Sequence, residues 1–196
     1  MRVWDVFTKS YLSEFKQHSG VISSIRFSSD CRVFLSSGDK SASVNVLNDK
    51  FLFVSSVKLK GHLRWVNDIL PLPSSNQCVT CSDDTNTMVW DCETGVCVRA
   101  LSAHRNSAIT LAACANGQCF ASGSYDQSVV IWSSETFDIL HRIEFPNMIN
   151  TLTFAENGHL FIGVYYQGAI SCNILTGEVG EITIAAGGAI TSLSIG

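Results

Sequence analysis

The chain has 196 residues, of which 46% are hydrophobic, 10% aromatic and only 15% charged, with three prolines. That balance describes a folded domain with a substantial buried core and excludes a disordered or acidic solvating segment. A net charge of −4 gives no general basic field for nucleic acid, and no apolar run approaches the roughly 18 residues needed to cross a bilayer.

Taken in chain order, the sequence predicts short strands separated by polar turns. Residues 2–15 supply the end of one strand and a second whole one. A first four-strand unit over 20–59 has strands at 21–27 and 33–37, a third ending at Leu47 and a fourth near 53–59. The turn Ser28-Ser29-Asp30 separates its first two strands. A second unit, 63–101, has strands at 66–72 and 77–81, a third ending at Trp90 and a fourth at 96–101. The third unit, 106–143, repeats the pattern at 108–113, 119–122, up to Trp132, and 139–143. The fourth, 147–184, does so at 149–154, 159–164, up to Cys172, and 179–184. One more strand is expected at about 189–195, and no stretch carries the periodicity of an amphipathic helix.

A fixed period organises these units. Trp90 and Trp132 lie 42 residues apart. Stepping back by 43 from Trp90 reaches Leu47 and then Trp4, and stepping forward by 40 from Trp132 reaches Cys172. His18, His62 and His104 keep the same phase, with Pro146 at the fourth place. In the second unit His62 to Thr80 is 18 residues, Thr80 to Asp84 four and Asp84 to Trp90 six. His104, Ser122, Asp126 and Trp132 repeat those offsets. Four strands per roughly 42 residues is the period of a propeller blade.

Gly61-His62, Thr80, Asp84 and Trp90-Asp91 resemble a full WD (tryptophan–aspartate, G-beta-like) repeat. So do His104, Ser122, Asp126 and Trp132, with Ala103 for the usual Gly and Ser133 for the usual Asp. The resemblance covers nearly the whole chain. It implies an all-β propeller of four-stranded antiparallel blades, incomplete, with about four whole blades and partial blades at 1–15 and 189–196. Propellers of this family typically have seven blades, so the expectation is a fragment of a longer propeller. Closure as a five-blade ring is the alternative. Open strand edges are free to self-associate.

The resemblance also implies a hydrogen-bond chain from Trp indole to Ser/Thr hydroxyl to His to Asp. An indole only donates, hydroxyl and imidazole do both, and a carboxylate accepts. The structural sets are therefore His62, Thr80, Asp84, Trp90 and His104, Ser122, Asp126, Trp132. The first repeat keeps His18 and Ser37 but has Ser41 for Asp and Leu47-Asn48 for Trp-Asp. The last has Pro146, Ile162, Tyr166 and Cys172. Both outer blades are expected to be held by apolar packing without a polar chain.

His104, Ser122 and Asp126 also read as a hydrolase triad. A nucleophile needs an exposed hydroxyl beside an oxyanion hole, whereas Ser122 sits in the apolar strand Phe120-Ala121-Ser122-Gly123. The near-copy His62, Thr80, Asp84 recurs one repeat earlier, as a structural unit would. No catalytic residue is expected. Cys78-x-x-Cys81 looks like half a zinc clip, but positions three apart on a strand point to opposite faces. No second pair completes it, so no metal is expected and the eight cysteines read as packed, reduced thiols. Gly187-Gly188 lacks a phosphate-loop Lys, and no cofactor is expected. The basic stretch Lys58, Lys60, His62, Arg64 reads as a solvated edge.

The function implied is a non-catalytic scaffold or adaptor binding other proteins or peptides in a multiprotein complex. A substrate-recognition subunit of a ubiquitin ligase is the alternative; an RNA-associated assembly factor or a hydrolase ranks below it. Neither direct nucleic-acid nor membrane contact is expected, and the expected location is cytoplasmic or nuclear. In the family, residues just before each turn Asp and just after each His face the top surface. Here the residues around those places include Lys40, Arg64, Asp83, Arg105, Tyr125 and Tyr165.

Overall fold

The computed structural model describes residues 1–14, 16–28, 32–37, 39–73, 75–155, 158–173, 179–182 and 190. Among them are eighteen strands and no helix. β1 (Arg2–Trp4) and β2 (Tyr11–Glu14) form a two-stranded sheet. Blade one follows as β3 (Ile22–Phe27), β4 (Arg32–Ser37), β5 (Ser41–Leu47) and β6 (Phe53–Lys60). Blade two is β7 (Val66–Pro71), β8 (Gln77–Ser82), β9 (Thr87–Asp91) and β10 (Cys97–Leu101). Blade three is β11 (Ala108–Ala113), β12 (Cys119–Ser124), β13 (Ser128–Ser133) and β14 (Ile139–Glu144). Blade four is β15 (Ile149–Phe154), β16 (His159–Val164), β17 (Gly168–Asn173) and β18 (Val179–Ile182).

Each blade is an antiparallel meander in chain order, because its turns are too short to permit any other neighbour. The first strands β3, β7, β11 and β15 pack against one another in succession and form the inner side of the arc. Each carries a bulge at the same place, between Ile22/Ser24, Val66/Asp68, Ala108/Thr110 and Ile149/Thr151. Such a bulge bends the strand and re-aims the residues after it. Among the described residues the five sheets make an arc that is not closed into a ring.

The core lies between consecutive blades. Phe34, Val44 and Leu59 of blade one bury Ile69, Cys78 and Trp90 of blade two. Val79, Cys81 and Val89 on the other face of blade two bury Leu111, Phe120 and Trp132 of blade three. Cys78 and Cys81 thus belong to opposite faces, as the period of two on a strand dictates. Ala121, Val129 and Ile131 meet Ile149, Leu160 and Cys172 of blade four in the same way. Blades must approach closely for this: a Cβ on Gly123 would stand 2.7 Å from Ile149 Cγ2.

Polar bonds stitch the inner strands together. Asp68 on β7 takes Arg26 of blade one at 3.0 Å and accepts the Leu111 N–H of blade three at 2.9 Å. Ser23 Oγ donates to Val66 O at 2.6 Å and Asn67 Nδ2 to Ala108 O at 2.9 Å. Met1, Val3 and Ile22 pack on Val33 and Leu47, but Ile25 stays 51% exposed where its equivalents Ile69, Leu111 and Leu152 are buried. The expected strand at 189–195 lies outside the described residues except for Ile190, whose side chain faces Gly163. The turns at 29–30 and 174–178 also lie outside them.

Candidate functional site at the histidine end of the blades

Every blade runs from one end, where the histidine loops and the turns between second and third strands gather, to the other. In blade two, His62 Nδ1 meets Asp84 Oδ2 at 2.8 Å and His62 Nε2 meets Thr80 Oγ1 at 2.7 Å. The Trp90 indole N–H donates to Thr80 Oγ1 at 2.8 Å. In blade three, His104 meets Asp126 at 3.2 Å and Ser122 Oγ at 2.8 Å, and Trp132 donates to Ser122 at 2.9 Å. Thr80 and Ser122 have no exposed surface.

Burial pushes the His62 and His104 imidazoles below their ordinary range, more strongly than Asp84 and Asp126 raise them. Both rings are therefore neutral at pH 7, donating from Nδ1 and accepting at Nε2. Burial pushes Asp84 up, but the Leu63 N–H and His62 outweigh it and its carboxyl ends below the ordinary value. Burial likewise raises Asp126, but Ser128, the Arg105 N–H and His104 bring it down to about 2. Proton polarity then runs one way, from indole to hydroxyl to imidazole to carboxylate, and each buried group is satisfied.

Blade one corrects the sequence expectation of an apolar blade. His18 Nδ1 meets Asp39 Oδ1 at 3.1 Å, and His18 Nε2 meets Ser43 Oγ at 2.9 Å. Asn45 Nδ2 donates to Ser43 Oγ at 3.0 Å and to Val33 O at 3.0 Å. The carboxylate is Asp39, not Ser41. Ser41 instead donates its hydroxyl to Asp39, as Ser128 does to Asp126. Burial raises Asp39, but Ser41, His18 and the Ser19 N–H lower it to about 2. The indole's place belongs to Asn45, not Leu47, since Asn45 opposes Val33 in register as Trp90 opposes Cys78. The hydroxyl has crossed to the partner strand. Leu35 stands where Thr80 and Ser122 do, and Ser43 is its register partner, as Met88 is of Thr80.

Leu47-Asn48 does match Trp-Asp at the outer turn. Asn48 Oδ1 accepts the Lys50 and Leu52 N–H groups, as Asp91 Oδ1 accepts those of Glu93 and Thr94. Asp39 to Asn48 is nine residues, against seven from Asp84 to Asp91. Two extra residues in β5 separate the two registers, and an even insertion keeps every side chain on its own face. In blade four Ile162 and Cys172 are fully buried in the apolar core while Tyr166 is 69% exposed, so that blade is held by packing.

The residues named from sequence for the outer surface share this end. Lys40 follows Asp39 at φ 66°, as Thr85 and Gln127 follow their aspartates at 73° and 70°. Lys40, Arg64 and Asp83 line one cleft between blades one and two. Arg105 is exposed and Tyr125 half-exposed on blade three. Tyr165 on blade four stacks edge-on against Tyr166, centroids 4.5 Å apart. Sequence reasoning missed Leu63 and Trp65, which line the same cleft as Lys40. Among the described residues no cluster of three or more His, Cys, Asp or Glu could hold a metal ion.

Stacked four-stranded blades, three of them pinned by a buried polar chain, define a repeat platform. The family profile for the WD domain, G-beta repeat, matches residues 9–44, 53–91 and 95–133. The chain belongs to the WD-repeat family, whose repeats build protein-interaction scaffolds and are generally non-catalytic. The chain is also similar to TBC1 domain family member 31 of Oryzias latipes, with 26% identity over 160 residues. That match takes in 80% of this chain and spans 15% of the relative's length.

Proposed function

We propose that the chain is a non-catalytic scaffold that binds protein or peptide partners on its histidine end, as one module of a longer protein. One observation carries this reading. The hydroxyls that could serve as nucleophiles are buried and spent: Ser122 already receives the Trp132 indole and bonds His104, and Ser43 already receives Asn45 and bonds His18. What remains for work at this end is surface side chains on a rigid frame, the setting in which binding residues sit on loops.

The test compares partners recovered on the wild-type chain and on an Arg64→Glu/Tyr125→Ala variant by affinity purification. Loss of specific partners in the variant supports the reading, and an unchanged set contradicts it. Recovery of ubiquitin-ligase subunits would support substrate recognition as the finer role. Labelling of Ser122 by a fluorophosphonate would contradict the non-catalytic assignment.

A further inference from the structure

We propose that the cleft between blades one and two, lined by Lys40, Leu63, Arg64, Trp65 and Asp83, docks an acidic peptide segment whose carboxylate lies beside an apolar side chain. The proposal rests on the scaffold reading and names the partner's chemistry. It starts from an exposed tryptophan that the fold does not need. Trp65 O accepts the Asp83 N–H at 3.0 Å. Ser107 O accepts the Tyr125 N–H, and Met148 O the Tyr165 N–H, in the same way. This staple uses a carbonyl alone, so any side chain serves there. Blade three uses serine. In blade two the place holds an indole 56% exposed, next to Leu63 at 74%.

The loop presenting them is pinned at both ends. The Leu63 N–H donates to Asp84 at 2.8 Å and the Trp65 carbonyl takes Asp83. A pinned loop loses little entropy on binding, and a large amphipathic ring on such a loop is the usual anchor of an interface.

Charge selects the partner. Lys40 and Arg64 are exposed, and neither has an ion-pair or hydrogen-bond partner among the described residues. Of the nearby carboxylates, Asp83 is held by Asn67 at 2.8 Å. Asp84 is enclosed by His62 and the Leu63 and Asn86 N–H groups. Asp39 is enclosed by Ser41, His18 and the Ser19 N–H. With Asp39 and Asp84 turned into the histidine chains, the cleft lining holds two cations against one carboxylate, Asp83, on a chain whose net charge is −4. Arginine beside an indole suits a carboxylate next to an apolar residue.

A phage library of random peptides, selected on the full chain, tests this. Selected sequences should be enriched in Asp or Glu adjacent to Leu, Ile, Phe, Tyr or Trp. A fluorescein-labelled peptide of the leading sequence should lose roughly tenfold or more in affinity to Arg64→Glu and to Trp65→Ala. It should keep most of its affinity for Trp65→Phe and weaken as salt is raised. Neutral or basic selected sequences, affinity unchanged in both variants, or no selected sequence at all would overturn the proposal. If affinity falls only with Arg105→Glu or Tyr125→Ala, the cleft is wrong and the scaffold reading stands. If it falls only with variants at the opposite end, both are wrong.

Discussion

Asn45 donates to Ser43 Oγ at 3.0 Å, in blade one, from the place where Trp90 donates to Thr80 at 2.8 Å in blade two. A side-chain amide thus stands in for an indole, and a hydroxyl has moved across one strand pair to meet it. The chain of donors survives although neither marker residue does. What is retained is the satisfaction of buried His18, and the identity of the donor is free.

Ser43→Ala should therefore destabilise the protein. It leaves His18 Nε2 without its partner and removes one of the two acceptors of Asn45 Nδ2, at about 1–3 kcal/mol for a buried group left unsatisfied. Ser55→Ala, on the exposed strand β6 of the same blade, should stay within about 0.5 kcal/mol of wild type. Urea midpoints compare the two. Equal midpoints would mean that blade one has no working polar chain.

In blade two, Thr80→Val keeps the shape but orphans both the Trp90 N–H and His62 Nε2. A loss of about 1–3 kcal/mol per unpaired group is expected, while Thr80→Ser, which keeps the hydroxyl, should recover most of it. Thermal or urea unfolding reads the difference. A serine variant as unstable as the valine variant would point to packing and not to the hydrogen bonds.

Stability should fall with acid in two stages. His62 and His104 sit below the ordinary value of 6.5 in the fold. The unfolded chain then takes up protons first, and stability drops as pH falls below about 6.5. Asp39 and Asp126, at about 2 when folded against 3.8 otherwise, add a second loss as pH falls from about 4 towards 2. The urea midpoint against pH checks this. A His62→Gln/His104→Gln variant should start less stable yet show a shallower slope between pH 6.5 and 5.

Asp68 joins three blades, so Asp68→Ala should cost more than any exposed ion pair. It leaves the buried Leu111 N–H unsatisfied, at about 1–3 kcal/mol. Arg26→Ala should cost less, since the Arg26 side chain is 41% exposed and water already shares its charge. Amide exchange at Leu111 should accelerate in the Asp68 variant and much less in the Arg26 variant. The reverse order would mean that Asp68 matters chiefly to Arg26.

The two central blades were legible because their markers keep the offsets 18, four and six. Blade one is legible as a blade, but its interior is not. The step of 43 from Trp90 lands on Leu47, which is right for the outer turn, and the two-residue insertion in β5 then hides Asp39 and Asn45 from that count. Their six-residue spacing, the same as Asp84 to Trp90, was the signal available. The inter-blade pair Arg26–Asp68 left no trace in sequence, because 42 residues and a shared inner surface bring it together. Trp65 is not legible as a contact residue, because an aromatic residue reads as core until its exposure is known.

Binding of protein partners on the histidine end is the proposed work of this chain. Photo-crosslinking tests it directly, with p-benzoylphenylalanine placed in the cell at position 65 or 125, or at position 116 on the opposite end. Discrete protein adducts from 65 or 125, and none from 116, are the predicted result. Adducts from 116 with none from 65 or 125 would contradict it.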